Sequence, residues 1–196
     1  MGRRARNEES GPASAGLIEG GQLSCHVSAL RIPGQDIATE PRDQKKISGR
    51  IVDIIEDTMR FLHIHLPYPH IIHGIEPEAE TEIPVVALRE ILVNAVAHRD
   101  YTISGPIRVI AFDDRVEIRT PGILPNTVTV DSLKTGMHVL RNPTMYNILL
   151  KWQLITDAGS GIPRTVRVMV EKTGREPEFA VENQEFVARL PRPVDI

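Results

Sequence analysis

The chain has 196 residues, 41% of them hydrophobic, which is enough for one sizeable core. Its formal net charge of −3 argues against a surface that binds nucleic acid strongly by itself, because such surfaces carry an excess of lysine and arginine. A single cysteine excludes an internal disulfide and a cysteine-ligated zinc site, and no apolar run is long enough to span a membrane, so we expect a cytoplasmic protein without a membrane partner.

The first 46 residues are expected to lie outside the main domain. Residues 1–21 contain almost no large apolar side chains, which predicts a disordered tail. Gln22–Pro33 alternates apolar and polar residues as a strand does, and the polar, turn-rich segment after it indicates a linker. A strand without a neighbouring strand in the sequence suggests the end of an upstream domain that this chain does not contain.

A helix and a histidine-rich segment follow. Ile47–Leu62 has apolar residues at helical spacing, so we predict a helix with one buried face. Four histidines follow within eleven residues, at His63, His65, His70 and His73. The prolines between them break any regular geometry, so we interpret them as histidines of a surface loop rather than as a metal site. Glu76–Glu82 is acidic and is predicted to be a loop.

The segment Pro84–Tyr101 predicts a helix around which the domain is organised. Glu90, Asn94 and His98 lie at positions i, i+4 and i+8, and nearly all the residues beside them are apolar. Buried polar groups need partners, so a narrow polar line between apolar flanks suggests a polar ligand opposite it. An ordinary solvent-facing edge of an amphipathic helix would show the same pattern, and the helix alone does not separate these two interpretations.

The elements after this helix predict a mixed α/β layer. Residues 105–124 indicate a hairpin that turns at Asp113–Arg115 and ends at Pro121–Gly122. A short helix is expected near Val130–Lys134. Asn142 as N-cap and Pro143 in the first turn predict a helix over Thr144–Gln153, with a buried face formed by Met145, Ile148, Leu149 and Trp152. A last hairpin is predicted to turn at Glu182–Gln184.

Two glycines precede the helix that is predicted from Pro163 to Gly174. Gly159 and Gly161 flank Ser160, so backbone N–H groups at the helix N-terminus are accessible to an anion. The same Gly-Ser-Gly turn is also common in ordinary loops. No Gly-x-x-x-x-Gly-Lys-Ser/Thr loop and no Gly-x-Ser-x-Gly segment is present, so neither a helicase motor nor a serine hydrolase is expected.

Four motifs in this order resemble a known family: LREILVNAVAHRDY, FDDRVEIRTPGILP, the RNP of Arg141–Pro143, and DAGSGIPR. They are similar to the C-terminal domain of Schlafen-AlbA-containing transcriptional regulators, which is often called the RecG-like ATP-dependent DNA helicase C-terminal domain. That domain is a divergent relative of the ATP-binding domains of gyrase B, MutL and histidine kinases, the GHKL or Bergerat fold. The resemblance covers approximately residues 22–193.

The resemblance implies roles for particular residues. Glu90 would be the catalytic residue that polarises the attacking water, and Asn94 would hold Mg²⁺ on the phosphates of ATP. The nucleotide-binding positions implied by the motifs are Asn94, His98, Thr120, Gly122, Gly159, Gly161 and Arg164. At three positions the chain departs from the superfamily pattern. Thr120 stands where an aspartate receives the adenine amino group, Leu124 replaces the second glycine of the same motif, and Pro163 replaces a glycine of the phosphate turn.

From these observations we expect a two-layer α/β sandwich, with a mixed sheet and helices on one face, over residues 47–193. Residues 22–46 would be the remnant of an AlbA-type domain and a linker, so DNA would be contacted only through the missing upstream module. The expected function is ATP binding, with at most slow Mg²⁺-dependent hydrolysis, in a bacterial DNA-associated regulator. The alternative is a degenerate domain that has lost the nucleotide and serves homodimerisation or partner binding.

Overall fold

The structure is a computed structural model. It describes residues 25–66, 70–73, 76–79, 81–125, 127–137, 139–155 and 159–193, and for 70–73 and 76–79 it describes the backbone alone. The predicted disordered tail, residues 1–21, lies outside the described residues.

A mixed six-stranded sheet forms one layer of the fold. Its strands are β1 (His26–Arg31), β2 (Asp43–Ser48), β5 (Ile107–Ala111), β6 (Arg115–Pro121), β7 (Glu178–Glu182) and β8 (Glu185–Pro191), and they lie in the order β2-β1-β5-β6-β8-β7. β1 and β5 are parallel, with Val27 opposite Ile107, and the other neighbours are antiparallel. A separate two-stranded sheet pairs β3 (His70–His73) with β4 (Glu76–Ala79).

Five helices form the other layer: α1 (Ile51–His65), α2 (Val85–His98), α3 (Val130–Lys134), α4 (Pro143–Lys151) and α5 (Gly161–Thr173). α1 packs on β1, β2 and β5, whereas α2 packs on β6, α1 and α5. The core lies between the layers, because strand residues such as Val109 and Ile118 are buried in one cluster with Leu88 and Leu92 of α2. This arrangement confirms the predicted α/β sandwich with a mixed sheet.

The prediction of a strand without partners at Gln22–Pro33 is wrong. β1 lies inside the sheet, between β2 and β5, and Val27 and Ala29 are completely buried. Its parallel partner β5 is far away in the sequence, so no local pattern could reveal the pairing. The predicted linker contains β2, whose Ile47 is a buried strand residue, and α1 therefore begins at Ile51 rather than at Ile47.

The histidine-rich segment differs from the predicted loop. His63 and His65 belong to the last turn of α1, and the His65 Nε2 atom lies 2.8 Å from the Asp43 Oδ2 atom. The strands β3 and β4 follow, where the sequence predicted loops, although the side chains of His70 and His73 lie outside the described residues.

The remaining elements agree closely with the sequence, with one exception in α4. The hairpins β5–β6 and β7–β8 and the short helix α3 lie where they were predicted, and Asn183 and Gln184 adopt positive φ angles in the last turn. In α4, Met145 and Leu149 are buried as expected, but Trp152 is 49% exposed because the helix ends at Lys151 and position 152 leaves the buried stripe. Tyr146 is buried in its place.

Candidate functional site

The polar line of α2 borders a cavity. Glu90, Asn94 and His98 are half-buried, while Ile91, Ala95 and most of their other neighbours on α2 are buried. The line therefore faces neither open solvent nor the packed core. Of the two interpretations of this helix, the geometry favours an internal site over a solvent-facing edge.

The cavity has a volume of about 110 Å³ and lies between α2, the strands β6 and β8, and the segments that precede α4 and α5. Its lining is mainly apolar, with a few polar groups along α2. The lining includes seven of the eight site residues predicted from the sequence: Glu90, Asn94, His98, Thr120, Gly122, Gly159 and Gly161. The eighth, Arg164, is bound to Glu90 at the edge of the cavity.

Glu90 is held by two neighbours. Its Oε2 atom lies 2.8 Å from the Nη2 atom of Arg164, one turn into α5, and its Oε1 atom accepts a hydrogen bond of 3.1 Å from the Nδ2 atom of Asn94. The same amide nitrogen donates to the Glu90 backbone oxygen at 2.9 Å. Both hydrogen bonds of the Asn94 side chain are therefore made by its nitrogen, which leaves its carbonyl oxygen as the atom suited to a hard cation such as Mg²⁺.

The Gly159–Gly161 turn brings the start of α5 against Glu90. Gly159 has a φ of 58°, and Ser160 is the N-cap but makes no side-chain capping bond, so the first N–H groups of α5 depend on other partners. Pro163 is the third residue of the helix, where a missing N–H does not break an intrahelical bond. Helix N-termini of this kind favour negative charge.

Gly122 lies at the exit of β6, where the chain passes close to two side chains that the sequence analysis did not select. A Cβ atom at Gly122 would lie 2.5 Å from the Nη1 atom of Arg141 and 2.8 Å from the Cβ atom of Asp100. The Arg141 Nη1 atom pairs with the Asp100 Oδ2 atom at 3.1 Å, and its Nη2 atom donates to the backbone oxygen of Ile123. Arg141 also lines the cavity. Only glycine fits at position 122 because of this close approach and its φ of 113°.

Asp100 is fixed as an anion in this arrangement. Its Oδ1 atom accepts hydrogen bonds from the backbone and hydroxyl of Thr102 at 3.0 and 2.6 Å. The Thr102 hydroxyl, together with the charges of Arg141 and Arg99, outweighs burial and holds the pKa of Asp100 below its ordinary value. The Asp100–Arg141 pair therefore links the end of α2 to the segment before α4.

Asn142 is the N-cap residue of α4 and Pro143 begins the helix, which confirms the predicted positions, but the Asn142 side chain makes no capping bond. Instead its Nδ2 atom donates to the backbone oxygens of Ala97 and Arg99, at 2.9 and 2.8 Å, at the C-terminal end of α2. The RNP motif thus joins two helices, because Arg141 and Asn142 both reach the chain that leaves α2. The motif itself was the only sequence signal for these contacts.

Thr120 is buried in β6, opposite Phe186 of β8, and its side chain brings no charge to the cavity. Glu90 is the only acidic residue among the described residues that line the cavity. The lining therefore offers no carboxylate at the β6 exit that could accept hydrogen bonds from the amino group of a base.

The described part of the chain contains neither a cluster of metal ligands nor a membrane-spanning helix. No group of three or more histidine, cysteine, aspartate or glutamate residues is arranged to hold a metal ion there. Within the same residues, no helix is long and apolar enough to cross a membrane.

Comparison with known proteins supports the fold and the family. No curated protein matches the chain. Among solved structures, the DIP2311 protein from Corynebacterium diphtheriae is similar, with a TM-score of 0.77 and 21% sequence identity over 88% of this chain and 36% of that one. At this identity the likeness establishes the fold alone. The chain spans about a third of the length of that neighbour.

A family model described as "Putative ATP-dependent DNA helicase recG C-terminal" matches residues 104–190. The match includes the hairpin with Gly122, the RNP motif and the start of α5, whereas α2 with Glu90 and Asn94 precedes it. Over residues 104–190 the chain is therefore similar to the RecG-like C-terminal domain family, an ATPase-like family, in agreement with the resemblance of the sequence motifs.

Proposed function

We propose that this domain binds ATP together with Mg²⁺ in the cavity between α2 and the start of α5. The observation that carries the proposal is that one cavity is lined by the polar line of α2, by Gly122 and by the Gly159–Gly161 turn. The motifs of the superfamily imply that these three parts bind the metal ion, the adenine ring and the phosphates. They come from three separate stretches of the sequence. The match of residues 104–190 to an ATPase-like family model supports the same proposal.

Each part of the site has a suitable chemistry. Asn94 would hold Mg²⁺ through its side-chain oxygen, and the bound ion would neutralise phosphate charge. The N-terminus of α5 and Arg164 would receive the phosphates. Glu90 would orient a water molecule, with hydrolysis slow at most because Thr120 stands where the superfamily has the aspartate that receives the adenine amino group.

The cavity has to enlarge before it can hold a nucleotide. Its volume of about 110 Å³ is below the roughly 300–1,000 Å³ of most small-molecule sites. One side of the cavity is lined by Leu133 of α3, a helix that has no buried residue. An element with so little burial costs little to displace, so this side of the cavity is the expected route of entry.

Titration calorimetry with Mg-ATP tests the proposal. We expect saturable binding by the wild type, weaker binding when Mg²⁺ is chelated, and loss of binding in Asn94→Ala. Asn147→Ala is the matched control, because Asn147 is exposed on α4 and away from the cavity lining. Absence of binding by the wild type at millimolar Mg-ATP would refute the proposal.

If ATP is hydrolysed, Glu90→Gln should lower turnover by about 10²–10⁴-fold, the usual contribution of a positioned general base. The readout is phosphate release under saturating Mg-ATP. Equal turnover by wild type and Glu90→Gln would remove Glu90 from the catalytic role while leaving ATP binding intact.

A second function, homodimerisation or partner binding without nucleotide, is favoured by a different observation. Three large apolar side chains that line the cavity are 37–47% exposed: Ile123, Met137 and Val139. Exposed apolar groups that lie together are typical of an interaction surface. Sedimentation with and without Mg-ATP separates the two functions, since a nucleotide-independent dimer with no ATP binding would support the second.

We also propose that the domain serves a cytoplasmic, DNA-associated transcriptional regulator and contacts DNA only through an upstream module. The net charge of −3 supports a weak, salt-sensitive affinity of this chain for duplex DNA. Sequence-selective binding below micromolar concentration at physiological salt, in a mobility-shift assay, would contradict this.

A further inference from the structure

The Glu90 carboxylate lies directly against the first turn of α5. A Cβ atom at Gly161 would lie 1.8 Å from the Glu90 Oε1 atom and 2.6 Å from its Cδ atom. The carboxylate therefore fills the space that the glycine leaves open beside the helix N-terminus. The negative charge of Glu90 therefore lies at the end of α5 that favours anions.

Both carboxylate oxygens of Glu90 are engaged in this position. Arg164 binds Oε2 at 2.8 Å, and Asn94 donates to Oε1 at 3.1 Å. The Glu90 side chain is only 15% exposed, whereas that of Arg164 is 40% exposed. Arg164, which the proposed function assigns to phosphate, is thus already paired with a negative charge of the protein itself.

We propose that Glu90 occupies the phosphate position in the ligand-free domain and that Arg164 is the positioning residue that holds it there. This inference rests on the proposed nucleotide function, which supplies the polyphosphate. A polyphosphate ligand must displace the carboxylate from the start of α5, and Arg164 then pairs with phosphate instead of Glu90. Glu90 is therefore an internal competitor of the ligand.

The exchange couples two events at one residue. While the carboxylate lies on α5, it is bound to Arg164 and cannot orient water. Once phosphate takes its place, the carboxylate is released toward the cavity, beside the ligand. Glu90 therefore becomes available as a general base only when the phosphate position is filled.

The first test compares the affinities of wild type and Glu90→Gln for ATP, inorganic tripolyphosphate and adenosine by calorimetry at constant Mg²⁺. The glutamine keeps the size of the side chain but removes its charge. We expect ATP and tripolyphosphate to bind about tenfold more tightly to Glu90→Gln, the change expected when one charged contact no longer competes. Adenosine has no phosphate, so its affinity should not change.

Glu171→Gln is the matched control, because Glu171 is an exposed carboxylate in the last part of α5 and the substitution changes the net charge by the same amount. It should leave all three affinities unchanged. An equal gain in Glu171→Gln would show a general charge effect and would overturn the proposal. An equal gain for adenosine would show a general opening of the cavity and would also overturn it.

The second test introduces Arg164→Gln into the wild type and into Glu90→Gln. In the wild type, Glu90 already neutralises Arg164, so the loss of Arg164 should weaken tripolyphosphate binding little. In Glu90→Gln the guanidinium is free for phosphate, and its loss should weaken binding at least about threefold more than in the wild type. Strictly additive effects would overturn the proposal.

The outcomes separate this inference from the proposed function. If the wild type binds ATP but Glu90→Gln binds tripolyphosphate no more tightly, the competition is refuted and nucleotide binding stands. If Glu90→Gln binds ATP and the wild type does not, the competition by Glu90 is supported while ATP binding by the wild-type domain is refuted. If neither protein binds any of the three ligands while both remain folded by circular dichroism, both are refuted.

Discussion

Two carboxylates, Glu117 and Glu90, lie on opposite sides of the sheet and differ in the partners that bind them. Glu117 of β6 lies on the face turned away from α2 and is 1% exposed. Arg115 and Arg119 each bind it at 2.7 Å and Arg189 binds it at 3.3 Å. Glu90, on the helix layer, has a single arginine partner and borders a cavity.

The difference lies in how completely each carboxylate is satisfied. Glu117 has arginine donors on both oxygens, and the same arginines bind other carboxylates, including Glu178 and Glu182. Such a network is self-contained and needs no ligand. Glu90 depends on one arginine that is partly exposed and can turn to another anion. A buried charge indicates a ligand site only where its partners can be exchanged.

Glu117→Gln should have the largest effect on stability. Removing the central charge leaves three arginines crowded around a neutral group. Loss of one partner from a buried ion pair costs about 3–5 kcal/mol, and because these arginines are partly exposed and keep other partners we expect about 2–3 kcal/mol. Urea unfolding measures the loss in the free energy of unfolding. Glu90→Gln, with one partner, should lose less than about 1 kcal/mol, and equal losses would contradict the comparison.

The pH dependence of stability should identify the same residue. Burial opposes the ionisation of Glu117, but the hydrogen bonds from Arg115 and Arg119 outweigh it and lower its pKa below the ordinary 4.5. A pKa that is lower in the folded state contributes stability above the unfolded value, and this contribution is lost as pH falls below about 4.5. We expect the free energy of unfolding of Glu117→Gln to fall less steeply than that of wild type in this acid range.

Two asparagines extend the comparison to uncharged groups. Asn142 donates to two backbone oxygens at the end of α2, whereas the Asn94 amide donates within its own helix to Glu90. Asn142→Ala leaves two helix-end carbonyls without this donor and should cost about 1–2 kcal/mol. Asn94→Ala should cost about 0.5 kcal/mol or less, because alanine favours the helix. If Asn94→Ala lowered the melting temperature as much as Asn142→Ala, the role of Asn94 would be to stabilise the fold rather than to bind the ligand.

Local patterns were sufficient for much of the fold. Hairpin turns, the positions of α2, α3 and α5, and the narrow polar line of α2 all follow from alternation, helical spacing and turn residues within a few positions of one another. The candidate site residues Glu90 and Asn94 were selected for the same reason, since their relation lies within one helix.

Contacts between distant residues were not predictable in this way. Asp100 and Arg141 are 41 residues apart, and Glu117 and Arg189 are 72 apart, so no periodicity relates them. The RNP motif was noticed, and Asn142 was correctly predicted at the start of α4, where asparagine is common. The sequence did not indicate that its Nδ2 atom donates to two carbonyls at the end of α2.

The sequence by itself determined which elements form, because backbone preference and the period of apolar residues are local properties of the chain. Only the tertiary structure decided that β1 is an interior strand and that Glu90 lies against Gly161, since both depend on which surfaces meet when the core closes. The same holds for the two faces of β6: alternation predicts that Glu117 and Ile118 point in opposite directions. Packing decides that Ile118 faces the helices and that Glu117 faces the arginines, because this orientation of the sheet leaves the least apolar surface exposed.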